Sequence, residues 1–295
     1  MRNYSTACSL GKNLSIDPWF ITGLIDAVQS GCFVVTILKN PRYKTGWNVQ
    51  ARIQIKIHER DRDLMMKIRE FFGGIGYISK PNKSNTIEYR VSSIRDIANV
   101  IIPHFDNYPL LTQKYFDYVL LKKIIKLMLE KEHNTLEGIK KIVKIKASIN
   151  LGLSKKLKQA FPEVEKENKN ISNNLNPPFA VQLGKQWMAG FLTAGSNFFI
   201  FIPNSKTKSG IAASLSFSIA HDPRDSFLSE SFKCFFGCRY VTLYKNRGVR
   251  EFTIKKIDHI INHVIPNLDK LNIRGSKNSD FLAFKNAAFI VKKSI

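Results

Sequence analysis

Acidic residues are scarce in this chain: 23 Asp and Glu stand against 46 Lys and Arg over 295 residues, a formal charge of +23. A surplus of this size opposes folding by self-repulsion, so a polyanionic partner is expected, nucleic acid ahead of a membrane surface. Cysteine is sparse too. Cys8, Cys32, Cys234 and Cys238 form no CxxC pair and have no histidine at zinc-ligand spacing, which points to reduced thiols in a reducing compartment. No apolar run reaches the ~18–20 residues of a membrane-spanning helix. The opening stretch MRNYSTACSLGKN lacks an apolar core, so it does not read as a secretory signal, and it is short for a transit peptide. A Walker loop, a dinucleotide fingerprint, a Ser/His/Asp set and a Cys/His pair are all missing. His259 and His263 stand at i, i+4 without a third ligand, and read as an exposed helical pair. Apolar residues are plentiful: 44% of the chain, with 21 Phe, is ample for a core. The length fits one large domain or two medium ones.

The chain repeats itself. Trp19-Phe-Ile-Thr-Gly-Leu-Ile-Asp-Ala27 reads against Trp187-Met-Ala-Gly-Phe-Leu-Thr-Ala194 with one residue of slack, matching Gly23 to Gly190 and Ala27 to Ala194. Ile53–Asp61 then pairs with Phe217–Asp225, and Phe71–Gly73 with Phe235–Gly237. Ile101–Asp106 answers Val264–Asp269, and Asp117-Tyr118 answers Asp280-Phe281. Five anchors in one order, at an offset between about 163 and 168, define two copies of one unit.

Within the first copy a helix opens at Ser15 or Asp17, with Pro18 in its first turn. Strands are expected over Phe33–Lys39 and Asn48–His58, then a helix over Asp61–Phe72 that stops at Gly73-Gly74. A second hairpin, Tyr77–Lys80 with Ile87–Ser92, precedes helices over Ile94–His104 and Gln113–Lys131. The order αββαββα, twice, predicts an α+β fold with two related antiparallel sheets. The domain boundaries read as 15–160 for the first repeat, 161–183 for a Pro- and Asn-rich linker, and 184–295 for a second repeat with shorter C-terminal helices.

The second strand carries the most information. Asn48, Gln50, Arg52, Gln54, Lys56 and His58 alternate with Val49, Ala51, Ile53, Ile55 and Ile57, so the polar set is expected on an open face and the apolar set against helices. Any half-exposed sheet alternates in this way. The residue types add something: Gln, Asn and Arg make bidentate hydrogen bonds to base edges, and Lys suits phosphates. Lys39, Arg42, Lys44, Lys80 and Lys83 fall in the flanking turns, and Arg90 is expected on the same face. The second copy is poorer. Ile211, Ala213, Leu215, Phe217 and Ile219 read as buried, leaving the small residues Ala212, Ser214, Ser216, Ser218 and Ala220 outside. Its basic residues are confined to Lys206, Lys208, Lys245, Arg247 and Lys255. That face either reads nucleic acid weakly or packs on a protein partner. The basic run Lys122 to Lys146 reads equally as a solvated helical face or as a phosphate contact.

With the Asp-Pro-Trp entry, the Thr-Gly-Leu-Ile-Asp-Ala core and the Tyr-Pro-Leu-Leu-Thr-Gln-Lys run at 108–114, the sequence over about 15–290 resembles the monomeric, two-repeat LAGLIDADG homing endonucleases. The resemblance implies a saddle of two sheets around paired motif helices, with Gly23, Ala27, Gly190 and Ala194 letting the helix backbones approach. It also implies Mg²⁺-assisted phosphodiester hydrolysis by an acid at the end of each motif helix. Those acid positions fall on Val28 and Gly195, and Gln29-Ser30-Gly31 stands where the family has one glycine. In the second copy the earlier motif aspartate is Thr193, and no Asp or Glu occurs between Glu167 and Asp222. Asp26, Gln54 and Lys256 remain as remnants of a catalytic centre, so no intact catalytic set and no metal site is expected.

The expectation from sequence is therefore a monomeric nucleic-acid-binding protein of this fold that has lost cleavage and needs no cofactor. Its target is structured RNA or double-stranded DNA. On the RNA side it would serve as a maturase-like splicing cofactor or a ribosome-associated binder. The rival is an active, intron-encoded, Mg²⁺-dependent homing endonuclease, and a third reading is a decaying reading frame. Richness in Ile, Lys, Asn and Phe suits an AT-rich organellar gene, which with the resemblance implies the mitochondrial matrix.

Overall fold

The first central helix, Pro18–Ala27, begins where Asp17 accepts a hydrogen bond from the Trp19 backbone N–H (2.8 Å) and Pro18 supplies the fixed φ of a first turn. It is apolar almost all round, and eight of its ten residues are buried. Such a helix needs covering on every side. The computed structural model, which describes residues 16–28, 31–149, 152–164, 183–203, 213–238, 242–244 and 249–293, supplies that cover from the second repeat. The second central helix, Lys185–Gly195, lies directly against the first.

The contact is backbone on backbone. A Cβ on Gly23 would overlap the carbonyl oxygen of Trp187 and come within 3.0 Å of the Phe191 nitrogen. A Cβ on Gly190 would overlap the carbonyl oxygen of Phe20 and come within 2.9 Å of the Leu24 nitrogen. Neither space can be made by moving a side chain. At the far end Gly195 faces the Ala27 methyl, where an added Cβ would stand at 3.2 Å. Ala27 is buried and Ala194 is half-buried beside it.

Each repeat builds a four-stranded antiparallel sheet. Strands β1 (Phe33–Lys39), β2 (Trp47–His58), β3 (Tyr77–Ile78) and β4 (Thr86–Val91) lie in the order β1-β2-β4-β3. Strands β5 (Ser196–Phe201), β6 (Ser214–His221), β7 (Thr242–Tyr244) and β8 (Arg250–Ile254) repeat that order as β5-β6-β8-β7. The registers superpose: Phe33 pairs with Ile53 as Phe198 pairs with Phe217, and Gln54 pairs with Arg90 as Ser218 pairs with Thr253. Helices cover one face of each sheet. In the first repeat they include Arg62–Phe71 and Lys114–Leu129, the latter backed by Leu136–Lys146, and in the second Ser226–Phe236 and Ser276–Lys293. One apolar core runs through both repeats.

The expected α+β duplication is what the chain adopts, with differences in detail. Ala213, expected inside, is exposed, because the buried run of β6 begins only at Leu215. The basic stretch over 134–158 divides into Leu136–Lys146 and Lys155–Ala160. Lys122 binds Asp106, while Lys140 and Lys141 reach Glu137 and Glu132. Leu136–Lys146 packs on Lys114–Leu129. Most of the linker, together with Lys206, Lys208, Ile211, Ala212, Lys245 and Arg247, lies outside the described residues.

Gly23→Ala or Gly190→Ala is expected to cost about 3 kcal/mol or more, the upper range for overpacking, because the neighbour is backbone. Urea denaturation checks this, and Ala194→Ser at the half-buried neighbouring position should shift the midpoint far less.

Candidate functional site

The open face of the first sheet carries the polar row of β2. Gln50 and Lys56 are exposed, and Asn48 and Arg52 are half-exposed. Arg90 on β4 is exposed and donates through Nε to Glu88 (2.7 Å), with Lys56 at 3.9 Å from the same carboxylate. Burial opposes ionisation of Glu88, but the Arg90 hydrogen bond and the charges of Arg90, Lys56 and Arg52 hold its pKa below the usual range. Lys39, Arg42, Lys44, Lys80 and Lys83 stand exposed in the turns at the rim. The arrangement offers amide and guanidinium donors in the middle of the face and ammonium groups around it, the distribution that suits base edges and phosphates respectively.

Gln54 departs from that row. It is only 5% exposed, accepting from Arg52 Nε (3.0 Å) and donating to the Gly31 carbonyl (3.1 Å). Its position at the end of the first central helix, where β1 begins, draws the amide inward. It lines a cavity of about 630 Å³ together with Val28, Lys114, Asp117, His221 and Asp225. This cavity lies where the two repeats meet, below the helix ends.

Asp26, the candidate remnant acid, is turned away into the core. It accepts from the Leu111 backbone N–H (2.9 Å), the Thr112 hydroxyl (2.6 Å) and the Trp187 indole N–H (2.9 Å). Burial pushes its pKa up, against those three donors and the charge of Lys114. The second repeat shows what the aspartate position does: Thr193 Oγ1 accepts from the Arg274 backbone N–H (3.3 Å) as Asp26 accepts from Leu111. Both hold the backbone just ahead of the helices Lys114–Leu129 and Ser276–Lys293. Two further aspartates cross between repeats. Asp61 accepts from Ser276 N–H and hydroxyl (2.5 and 2.8 Å), and Asp225 accepts from Gln113 N–H (2.9 Å).

Lys114 was not singled out from sequence. Its ammonium donates to the carbonyls of Ile25 (2.6 Å), Asp26 (3.3 Å) and Val28, capping the negative end of the first central helix. The repeat offset that pairs Asp117 with Asp280 pairs Lys114 with Lys277, and that correspondence was the available signal. At the second helix end Ser196 Oγ donates to Leu192 O (2.6 Å) instead, and Lys277 lies toward Asp280 (3.8 Å). Lys256 does not join this group; it is exposed beyond the end of β8, outside the lining of the cavity.

A model of the LAGLIDADG endonuclease family matches residues 21–125 and 188–288, one match for each repeat. The chain belongs to the LAGLIDADG endonuclease family. It is 50% identical to "Probable intron-encoded endonuclease 2" of Neurospora crassa over 94% of its length, and 35% identical to "Probable intron-encoded endonuclease 3" of the same organism over 92%. It spans 61% and 50% of those two proteins. The LAGLIDADG homing endonuclease I-SmaMI bound to cleaved DNA superposes with a TM-score of 0.85 at 35% identity, covering 96% of this chain and 92% of that one. The meganuclease I-CpaMI bound to uncleaved DNA gives 0.82 at 34% identity, covering 95% and 93%. These names speak of endonucleases and of DNA. None speaks of RNA or splicing, so the RNA-directed expectation gains nothing from them.

A LAGLIDADG endonuclease implies divalent metal at the ends of its central helices, and this chain's residues there do not fit one. Mg²⁺ is held through carboxylates and water. Val28 is buried and apolar, Gly195 has no side chain, and Asp26 is buried and already accepts from three protein donors. At the end of the first helix the carbonyls of Ile25, Asp26 and Val28 are occupied by the Lys114 ammonium. Among the described residues no three His, Cys, Asp or Glu side chains stand close enough to hold a metal.

Asp26→Ala is expected to cost about 3 kcal/mol or more in urea denaturation, since it strands a buried backbone N–H, a hydroxyl and an indole N–H. Asp225 provides a pH test. Burial, with the nearby charges of Asp26 and Asp222, lifts its pKa to about 7 against the Gln113 N–H. The folded protein therefore holds this proton longer than the unfolded chain, and stability contributed by it is lost as pH rises from about 4 through about 7. Asp225→Asn keeps an acceptor for Gln113 and removes the titration. Relative to wild type it should gain about 3 kcal/mol between pH ~4.5 and pH ~8.

Proposed function

We propose that this chain binds double-stranded DNA sequence-specifically, laying the open faces of its two sheets along the major groove, and that it does so without cutting. The observation that carries the first part is the exposed row of Gln50, Arg52, Lys56 and Arg90 inside a rim of lysines and Arg42, on a chain of charge +23. A two-stranded ribbon enters the major groove of B-form DNA, and amide and guanidinium groups there pair with adenine and guanine edges. The kinship with DNA-bound homing endonucleases favours duplex DNA over structured RNA. Gln54 has a supporting part in this reading: it aims Arg52 and ties β2 to the turn at Gly31.

The second part rests on the chemistry of the helix ends. A scissile phosphate placed against Val28 and Gly195 meets no carboxylate to position a metal or to activate water. The same place in the first repeat holds a fixed ammonium, which attracts the phosphate and stabilises bound DNA. Mitochondrial origin fits the relatives, one of which, from Podospora anserina, is named for an intron of the ND4 gene.

The test is selection from a randomised duplex library, followed by incubation of the selected duplex with Mg²⁺ and Mn²⁺. A specific sequence should be enriched and left intact. Its affinity should fall between about 50 and 200 mM salt by a factor of 10³ or more, because each phosphate contact releases counterions. Replacing Val28-Gln29-Ser30 by one glutamate, together with Gly195→Glu, should then confer Mg²⁺-dependent cleavage of the same duplex, and either change alone should give nicking at most. Cutting by the unaltered chain would overturn the non-cleaving half of the reading. Failure to enrich any duplex would overturn the binding half.

A further inference from the structure

The second sheet lacks every long polar reader of the first. Register equivalence puts Ser214, Ser216, Ser218 and Ala220 where the first sheet has Gln50, Arg52, Gln54 and Lys56, and Thr253 where it has Arg90. Those losses alone would suit a face that no longer touches a ligand; the edge strand argues otherwise. Where β1 has Val34 and Thr36, opposite Arg52 and Gln50, β5 has Phe199 and Phe201, opposite Ser216 and Ser214. The two rings are 54% and 64% exposed, on the open face, in a protein whose other phenylalanines are mostly buried. Exposing two large aromatic rings costs solubility and gains the fold nothing, since β5 already packs through Phe198 on Phe217 and Phe284.

The neighbours of Phe199 define a site. Phe199 pairs with Ser216, and Lys255 follows Ile254, the last residue of β8 and the partner of Phe217, so Phe199, Ser216 and Lys255 come together at the end of the sheet. There these three line a cavity of about 500 Å³ with Ala213 and Ser214 and, from the helix-covered side, Leu215, Ile257 and Val291. One flank is an apolar ring, the floor is a small hydroxyl, and the other flank is an ammonium group. In the major groove a T·A pair is distinguished by the thymine 5-methyl group beside the O4 acceptor. We propose that the trio Phe199, Ser216 and Lys255 reads a thymine: the ring takes the methyl group, and the Ser216 hydroxyl and Lys255 ammonium donate to O4. Phe201 over Ser214 offers a second apolar contact one step along the strand. The inference rests on the duplex-DNA reading above and adds a division of labour to it. One half-site is read through bidentate polar contacts, and the other through thymine methyl groups.

The small serines are part of the device. With no long side chain between Phe199 and Lys255, the base edge can sink to the sheet surface, bringing the methyl group against the ring. A Gln or Arg at Ser216 would fill that space and replace methyl contact with hydrogen-bond readout.

The experiment uses the full chain and the duplex selected from the randomised library. One half of the consensus should be rich in thymine on the strand facing the second sheet. Replacing the read thymine by uracil, which deletes only the 5-methyl group, should weaken binding about fourfold, the worth of one buried methyl group. Phe199→Ala should bind the thymine and uracil duplexes equally while keeping the wild-type preferences in the other half-site, which shows that the variant is folded. Lys255→Met should relax discrimination against cytosine, which carries a donor where thymine carries O4. Equal binding of thymine and uracil duplexes by the wild type, or a second half-site without preference, would overturn the inference and leave duplex recognition by the first sheet standing. Absence of any enriched duplex would remove both.

Discussion

Two helices touching backbone to backbone at Gly23 and Gly190 set the geometry of everything else in this protein. The contact brings the carbonyls of Trp187 and Phe20 to where a β-carbon would be, so the two repeats are held at the shortest separation that main chains allow. Each sheet follows its helix with almost no intervening chain: β5 begins at the residue after Gly195, and β1 begins a few residues after Ala27. The spacing and tilt of the two open faces are therefore inherited from one pair of glycines. A methyl group there would displace the halves before it disturbed any residue that faces a ligand.

Around that contact the polar groups are arranged in reciprocal pairs. Asp61 of the first repeat anchors the loop at Ser276 of the second, and Asp225 of the second anchors the loop at Gln113 of the first. Asp26 and Thr193 perform the matching task within each repeat, holding Leu111 and Arg274. This explains why the motif aspartate can be replaced by threonine in one copy: the position needs a hydrogen-bond acceptor, not a charge. The buried carboxyl of Asp26 is tolerated because three donors converge on it, one of them from the partner repeat.

Much of this could be read from the chain before the structure. The duplication, the strand register of β2 and the helix beginning at Pro18 follow from period and capping, which are local properties. Gly23 and Gly190 were legible because small residues at matched positions have few other uses in an apolar helix. Gln54 was not: period two put it on the open face, and only the proximity of the helix end, set by tertiary contact, draws its amide to Gly31. Lys114 was hidden for the same reason, its three carbonyl partners lying more than eighty residues earlier. The second sheet was legible as poor in long polar side chains, since period two already set its serines on the face that carries Gln50 and Arg52 in the first.

The crossed aspartates also limit how such a protein can be taken apart. Each repeat carries an acceptor whose donor lies in the other, so neither is a self-contained cartridge. A chimera that joined one half to a foreign half would bring together loops and carboxylates with mismatched partners, and the seam would have to be transplanted along with the module. Carrying both repeats in one chain makes this dependence heritable. Once the halves are always made together, each can drift toward needing the other.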